Sequence, residues 1–216
     1  MGLDNNIEYD VSGYGNNGTR NGTFSWSSDT PRYETSAVFN GSSFIKNTDF
    51  NLSHGIWTVA AWYYLPNTLS SYNCILCLSK GDGSDANKKF AMCPKTSFIW
   101  FKLENTSISV NSALKVNQWT HITLTSDGIN GKVYVNGQQV ATTNITSINS
   151  DYTDLVIGAR ANAENATTIA VPLSGLISDV RIYATTLSAE DVYNLYTVGA
   201  SLSDTGVLFS NEVSEV

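Results

Sequence analysis

No run of lysine and arginine occurs anywhere in these 216 residues, and 12 basic side chains face 19 acidic ones, for a net charge of −7. A nucleic-acid groove needs a basic patch to neutralise phosphates, so that class of partner is not expected. Charged residues of either sign reach only 14%, against roughly a quarter in ordinary domains. Asparagine, serine, threonine and glycine take their place, the material of turns and exposed strand faces. Long apolar runs are also missing. The longest, near 56–65, is interrupted by Thr58 and is too short to cross a bilayer, so no membrane insertion is expected. MGLDNNIEYD has neither a basic nor an apolar leader region, so no signal peptide is expected.

Cysteine is scarce. Cys74, Cys77 and Cys93 form a C-x-x-C with one partner downstream. Structural zinc needs four ligands, and no histidine lies near these three in sequence. Cys74 and Cys77 stand in the apolar run CILCL, so we read them as small reduced hydrophobes; an odd count also argues against a disulfide-stapled fold. Histidine is scarcer still. His54 falls in a turn and His121 in a strand, neither beside a nucleophile motif.

What is present is strand and turn. In WTHITLTSDGINGKVYVNGQQV (119–140), Ile122 and Leu124 alternate with threonines, the period of a strand with one buried face. Ser126-Asp127-Gly128 and Asn130-Gly131 then break the run, and Asn136-Gly137 after a second strand gives a strong hairpin signal, making a meander whose natural home is an antiparallel sheet. SAVFNGSSFI (36–45) reads as short strands around Asn40-Gly41, and IWTVAAWYYL (56–65) as a central strand buried on both faces and ended by Pro66. CILCLSK, KFAMC, SFIWFKLE, SISV and LVIGAR extend the strand count. The class is all-β.

The last long strand, 174–187, is expected to place Leu176, Val180 and Ile182 on one face. Ile177, Asp179, Arg181 and Tyr183 fall on the other. Ser188-Ala-Glu-Asp191 opens one short C-terminal helix, with an acidic first turn that suits the helix dipole. The length allows one large β-sandwich or two small domains, and the tail at 198–216 reads as an acidic, hydroxyl-rich arm or linker.

Three sequence matches are set aside. Gly13-x-Gly15-x-x-Gly18 has dinucleotide-motif spacing, but TRNGTFSW follows it where a helix is required. GDGSDANKK (81–89) resembles a calcium loop in composition without the closing glutamate, and reads as a solvated turn. Seven N-x-S/T sequons arise in a chain rich in those residues and are discounted.

In SFIWFKLE, Phe98, Trp100 and Lys102 share one face. A second core layer is the first reading of Phe98 and Trp100, because large aromatics are mostly buried. Left open, the pair would be a platform on which a sugar ring could stack.

The order of DVSGYGNNGT (10–19), AVFNGSSFI (37–45), WTVAAWYYL (57–65), the 117–140 meander, LVIGAR (155–160) and LSGLISDVRIYATTLSAEDVYNLY (173–196) resembles the laminin-G-like, concanavalin A-like lectin/glucanase jelly rolls. The resemblance covers about residues 8 to 196 and implies a two-sheet antiparallel jelly-roll sandwich over 1–197. DTPRY (29–33) and the C-terminal extension further resemble domains of tailed-phage structural proteins.

Glucanases of this fold carry E-x-D-x-E or E-x-D-x-x-E on one strand; this chain has neither, so no enzyme is expected. The resemblance also implies a structural calcium between the N-terminal loop and the last long strand, with oxygens from Asp10, Asn16 and Asp179. Equally open is an Asx-turn at Asp10 and an ion pair of Asp179 with Arg181 or another base.

Two functions follow. One is a non-catalytic, lectin-like module that attaches a phage virion or surface protein to bacterial surface glycans, stacking sugars on Trp100, Phe98 and Tyr72. The alternative is a decoration domain of a capsid or tail that binds other virion proteins, with homo-oligomerisation possible and no sugar site. Either would be made in a host cytoplasm and work in the virion, or outside the cell within a larger protein.

Overall fold

The computed structural model describes residues 6–32, 35–52, 55–66, 72–80, 88–146, 152–162, 168–198 and 206–209. In chain order the strands begin with β1 (Ile7–Glu8), β2 (Gly18–Asn21), β3 (Ser25–Ser27), β4 (Ser36–Asn40), β5 (Phe44–Asn47) and β6 (Ile56–Tyr64). There follow β7 (Leu76–Ser79), β8 (Lys88–Pro94), β9 (Ile99–Leu103), β10 (Thr106–Val110), β11 (Thr120–Asp127), β12 (Asn130–Val135) and β13 (Gln138–Asn144). The last are β14 (Asp154–Ile157), β15 (Arg160–Ala161), β16 (Ile169–Ala170), β17 (Ser174–Tyr183), helix α1 (Ala189–Thr197) and β18 (Gly206–Phe209).

Among the described residues these strands form two eight-stranded antiparallel sheets and a small hairpin. Sheet A runs β1-β2-β5-β14-β7-β8-β9-β10. Sheet B runs β13-β12-β11-β6-β17-β4-β3, with β18 beside β17; β15 and β16 pair with each other. This is the all-β class that the strand pattern predicted and the jelly-roll sandwich that the resemblance implied, with α1 as the short helix. Asn40-Gly41 turns the chain from sheet B into sheet A, because β4 and β5 belong to different sheets.

The core lies between the sheets. From β6, Trp57, Val59, Ala61 and Tyr63 point inward and meet Phe90, Phe101 and Leu155 of sheet A, among others. The opposite face of β6 is covered too: Ala60 packs with Tyr183 and Leu195 beneath α1. Burial on both faces is why this strand reads as a nearly unbroken apolar run. Gly158 carries a φ of +80°, and a Cβ there would lie 2.1 Å from the Phe39 ring. Only glycine fits that left-handed position against a buried aromatic.

Two expectations are corrected. Strict alternation fails along β17, where the register shifts between Ser178 and Arg181 and Asp179 has a φ of +50°. This bulge sets Ile177 on the core side with Val180 and Ile182 and leaves Leu176 outside that set. Lys88 and Lys89, assigned to a solvated turn, open β8 and are fully buried. A register shift beside them turns the Lys89 ammonium to 3.4 Å from Glu104 Oε1. Trp57 Nε1 donates to the same oxygen at 2.6 Å. The rest of that turn, 81–87, lies outside the described residues.

The helix starts as its sequence requires. Ser188 accepts from the Asp191 backbone N–H, and Asp191 accepts in return from the Ser188 N–H and hydroxyl. Val192 and Leu195 form its buried side. Of the arm at 198–216, Gly206–Phe209 lies antiparallel to Val180–Tyr183.

Candidate functional site

Sheet A has an outer face as well as a core face. On β9, Ile99, Phe101 and Leu103 enter the core, so Trp100 and Lys102 point the other way. Trp100 lies opposite Cys93 on β8, and Cys93 is bonded to Cys74 just before β7. Two residues before Cys74, on the same side, stands Tyr72, with 38% of its surface exposed. Lys95 places its ammonium 3.7 Å from the Tyr72 ring centre and 5.4 Å from that of Phe98. The Lys95 N–H donates to the Phe98 carbonyl, closing the β8–β9 turn. Trp100, Tyr72 and Phe98 thus share the end of one sheet face, and none is part of the inter-sheet core.

Trp100 and Tyr72 line a pocket of about 180 Å³ together with Cys93, Arg160 and Val171. Cavities for drug-sized ligands run to roughly 300–1,000 Å³, so this one suits a single ring with the remainder of a ligand outside. Val171 has a φ of +49°. A β-branched residue avoids that conformation, and such strain gathers at binding sites. Arg160 opens β15 and Val171 follows β16, so the small hairpin brings both to the sheet.

Arg160, Val171, Lys95 and Cys93 were missed as site residues in the sequence. The strand periods reveal which residues share a face, but not that a hairpin 60 residues downstream of Trp100 folds over it. The disulfide is a correction: Cys74 and Cys93 are joined across neighbouring strands, while Cys77 is buried and outside that disulfide. Odd-count reasoning failed because the register sets Cys74 opposite Cys93, which no spacing rule reports.

The implied calcium ligands are placed as follows. One Asp10 carboxylate oxygen accepts from Ser12 N at 2.9 Å, and the other from Asn16 N at 2.9 Å and Asn16 Nδ2 at 3.3 Å. That is an Asx-turn geometry, at the edge of sheet A. Asp179 is on β17 of sheet B, where its Oδ1 lies 2.6 Å from Arg181 Nε. Burial would lower the Arg181 pKa, yet it is raised, because the charges and hydrogen bonds of Asp179 and Tyr183 together outweigh desolvation. No group of three or more His, Cys, Asp or Glu side chains among the described residues could hold a metal. Asp10 and Asn16 thus lie together beside sheet A, and Asp179 stands on sheet B with Arg181.

His121 is also in sheet B, on the side that α1 covers. Its ring centre lies 5.0 Å from Trp62 and 6.1 Å from Tyr196, and Trp62 stacks on Tyr196 at 5.5 Å. Arg32 donates to the Tyr196 carbonyl near the helix C-terminus and sits 5.8 Å from the Trp62 ring. Burial pushes the His121 pKa down to about 3, helped by the Arg32 and Arg181 charges. His54 lies outside the described residues.

A further concavity of about 240 Å³ is lined by Val38, Phe39, Tyr64, Pro66, Ser174, Gly175 and Leu176. Its walls are almost wholly apolar and offer few groups to bond hydroxyls. The sheet A pocket combines ring faces with polar partners and is the better candidate.

Comparison with solved structures places the fold. Domain 4 of the arabinanase AbnA from Geobacillus stearothermophilus, solved with arabinotriose, superposes with a TM-score of 0.64 at 21% identity, covering 89% of this chain and 94% of that one. The receptor-binding domain of botulinum neurotoxin type G gives 0.63 at 21%, with 88% of this chain and 49% of that chain covered. A heptameric SAP-like pentraxin from Limulus polyphemus gives 0.60 at 17%, over 79% and 89%. The chain thus spans nearly all of the arabinanase domain but about half of the toxin's. No match was found among curated proteins. The sequence profile of the concanavalin A-like lectin/glucanases superfamily matches residues 39–193, and the chain belongs to that superfamily.

Proposed function

We propose that this protein is a non-catalytic carbohydrate-binding module whose sugar site is the outer pocket of sheet A. The observation that carries the reading is that Tyr72 and Trp100, far apart in sequence, line one pocket floored by Cys93. Ring faces there offer stacking, and the half-buried Phe98 flanks them beyond Lys95. Glu190 and Asp191, adjacent carboxylates, belong to the first turn of α1, where Asp191 closes the capping box with Ser188. Support also comes from the neighbours: the arabinanase domain was solved with an arabinotriose, and the toxin domain is a receptor-binding one.

Within that reading, the ligand is a bacterial surface glycan and the module part of a phage virion. The DTPRY segment and the C-terminal extension support this. The Cys74–Cys93 disulfide fits a protein that works outside a reducing cytoplasm.

A glycan array that includes bacterial surface polysaccharides tests the proposal. Binding lost in Trp100→Ala and weakened in Tyr72→Ala, with thermal stability preserved, is the expected result. An array without hits for the folded protein would overturn it and favour the decoration-domain reading.

A further inference from the structure

We infer that the pocket on sheet A reads the end of a glycan chain: it takes in a terminal sugar ring and excludes chain interiors. The inference rests on the sugar-site reading above and specifies its ligand. It begins with size. A disaccharide is a drug-sized ligand, and cavities for such ligands begin at about 300 Å³. This pocket holds about 180 Å³, room for a single ring.

The walls decide where the rest of the chain can go. On the outer face of sheet A, Val156 of β14 packs with Ala159 and Ala161, and Phe44 of β5 and Ile169 of β16 join them. The β15–β16 hairpin therefore lies across that face, over β5 and β14. Val171, just past β16, packs on the cluster of Cys74, Cys77 and Cys93, as Trp100 does. The cover thus extends over β7 to β8, and the strand order β5-β14-β7-β8-β9-β10 leaves Trp100 on the first strand beyond it. It is also tied down. The Gly158 N–H donates to the Ile75 carbonyl and the Leu173 N–H to the Gly158 carbonyl, both at 2.7 Å, and the Ser174 N–H donates to Asn73 Oδ1 at 3.1 Å.

The strand end is closed as well, by Tyr72 with the Lys95 ammonium 3.7 Å from its ring centre. What stays open is the side of β10, the edge strand of the sheet. Ser109 is the partner of Trp100 there, and Ser107 and Ser109 are both exposed. Their short side chains keep the floor low, and their hydroxyls can bond the sugars that follow the terminal one. A residue inside a chain is linked at two positions and needs two ways out. A chain arriving over β10 would have to leave through the tethered hairpin, and one running along the strands would have to leave through the Tyr72–Lys95 pair. A chain end needs a single opening, and the pocket supplies it.

The test uses purified bacterial capsular and cell-wall polysaccharides, each printed intact and, at equal mass, after partial acid hydrolysis to short chains. Hydrolysis multiplies chain ends without adding sugar, so signal per mass should rise in proportion to the number of ends. Calorimetry on size-fractionated chains of each polysaccharide that binds should give a single site per chain at every length. Trp100→Ala should lose both signals. Tyr72→Ala, at a partly exposed residue, should weaken both, and it remains informative if circular dichroism shows that Trp100→Ala does not fold. Borohydride opens the ring at the reducing end, so its effect on the cut chains tells which end is read, and either result supports the inference. Equal signal per mass for intact and cut chains, with sites that increase with length, overturns the inference and leaves the sugar site standing. If the folded protein binds neither form, both fall.

Discussion

Acidification should loosen this protein through one residue. His121 is buried between Trp62 and Tyr196 with Arg32 and Arg181 nearby, and its pKa falls from 6.5 to about 3. The unfolded chain takes up a proton near pH 6.5 and the folded chain does not until about pH 3, so between those limits the unfolded state binds more protons. Stability therefore falls as pH falls across that window. At 1.36 kcal/mol per unit, the loss is about 2 kcal/mol at pH 5, about 3 at pH 4 and about 4 at pH 3. That is a large part of the roughly 5–15 kcal/mol that holds a domain together. Urea unfolding followed by tryptophan fluorescence from pH 7.5 to pH 4 reads it. His121→Phe keeps a ring between its neighbours and removes the titration, so the difference between the two stability curves isolates this residue from every carboxylate. Superimposable slopes for the two proteins between pH 7 and pH 5, or an NMR titration of His121 near 6.5, would refute the reasoning.

Other outcomes follow from the packing. Gly158→Ala should cost about 2–4 kcal/mol, from overpacking against Phe39 and a side chain at positive φ; a thermal midpoint within 2 °C of wild type would contradict the close approach. Glu104→Ala strands the Lys89 ammonium and the Trp57 N–H in the core, and should cost about 3–5 kcal/mol by chemical denaturation. A smaller effect would mean that water reaches Lys89. Calcium at a hundredfold excess over any dissociation constant would add about 2.7 kcal/mol, or roughly 5–10 °C in a domain of this size. Because Asp10 is engaged in a turn and Asp179 with Arg181, no such shift is expected; seeing one, reversed by chelator, would restore the calcium reading.

Much of the fold could be read from local signals. The 117–140 meander becomes β11, β12 and β13 because alternation and short turns, at Gly128-Ile129 and at Asn136-Gly137, act over neighbouring residues; Asn130 and Gly131 themselves belong to β12. The capping box at Ser188 is local too. Alternation also put Phe98 and Trp100 on one face of their strand. It failed where a bulge resets the period, at Asp179 in β17 and at Lys89 in β8. The remainder of the pocket was illegible for a different reason. Arg160 and Val171 reach Trp100 through a hairpin laid over sheet A, and Cys74 finds Cys93 through strand register. Both depend on tertiary neighbours that a linear pattern does not encode.

The position of β17 governs how the chain can be born. It sits between β6 and β4, so Trp62 waits for Ser178 and Ala37 waits for Ile177. Until Ser174–Tyr183 has left the ribosome, β6 is paired on the β11 side alone, and its other edge is a bare apolar template. Such distant pairings close slowly. Nascent chains arrested before Ser174 are therefore the form most exposed to aggregation and most in need of a chaperone.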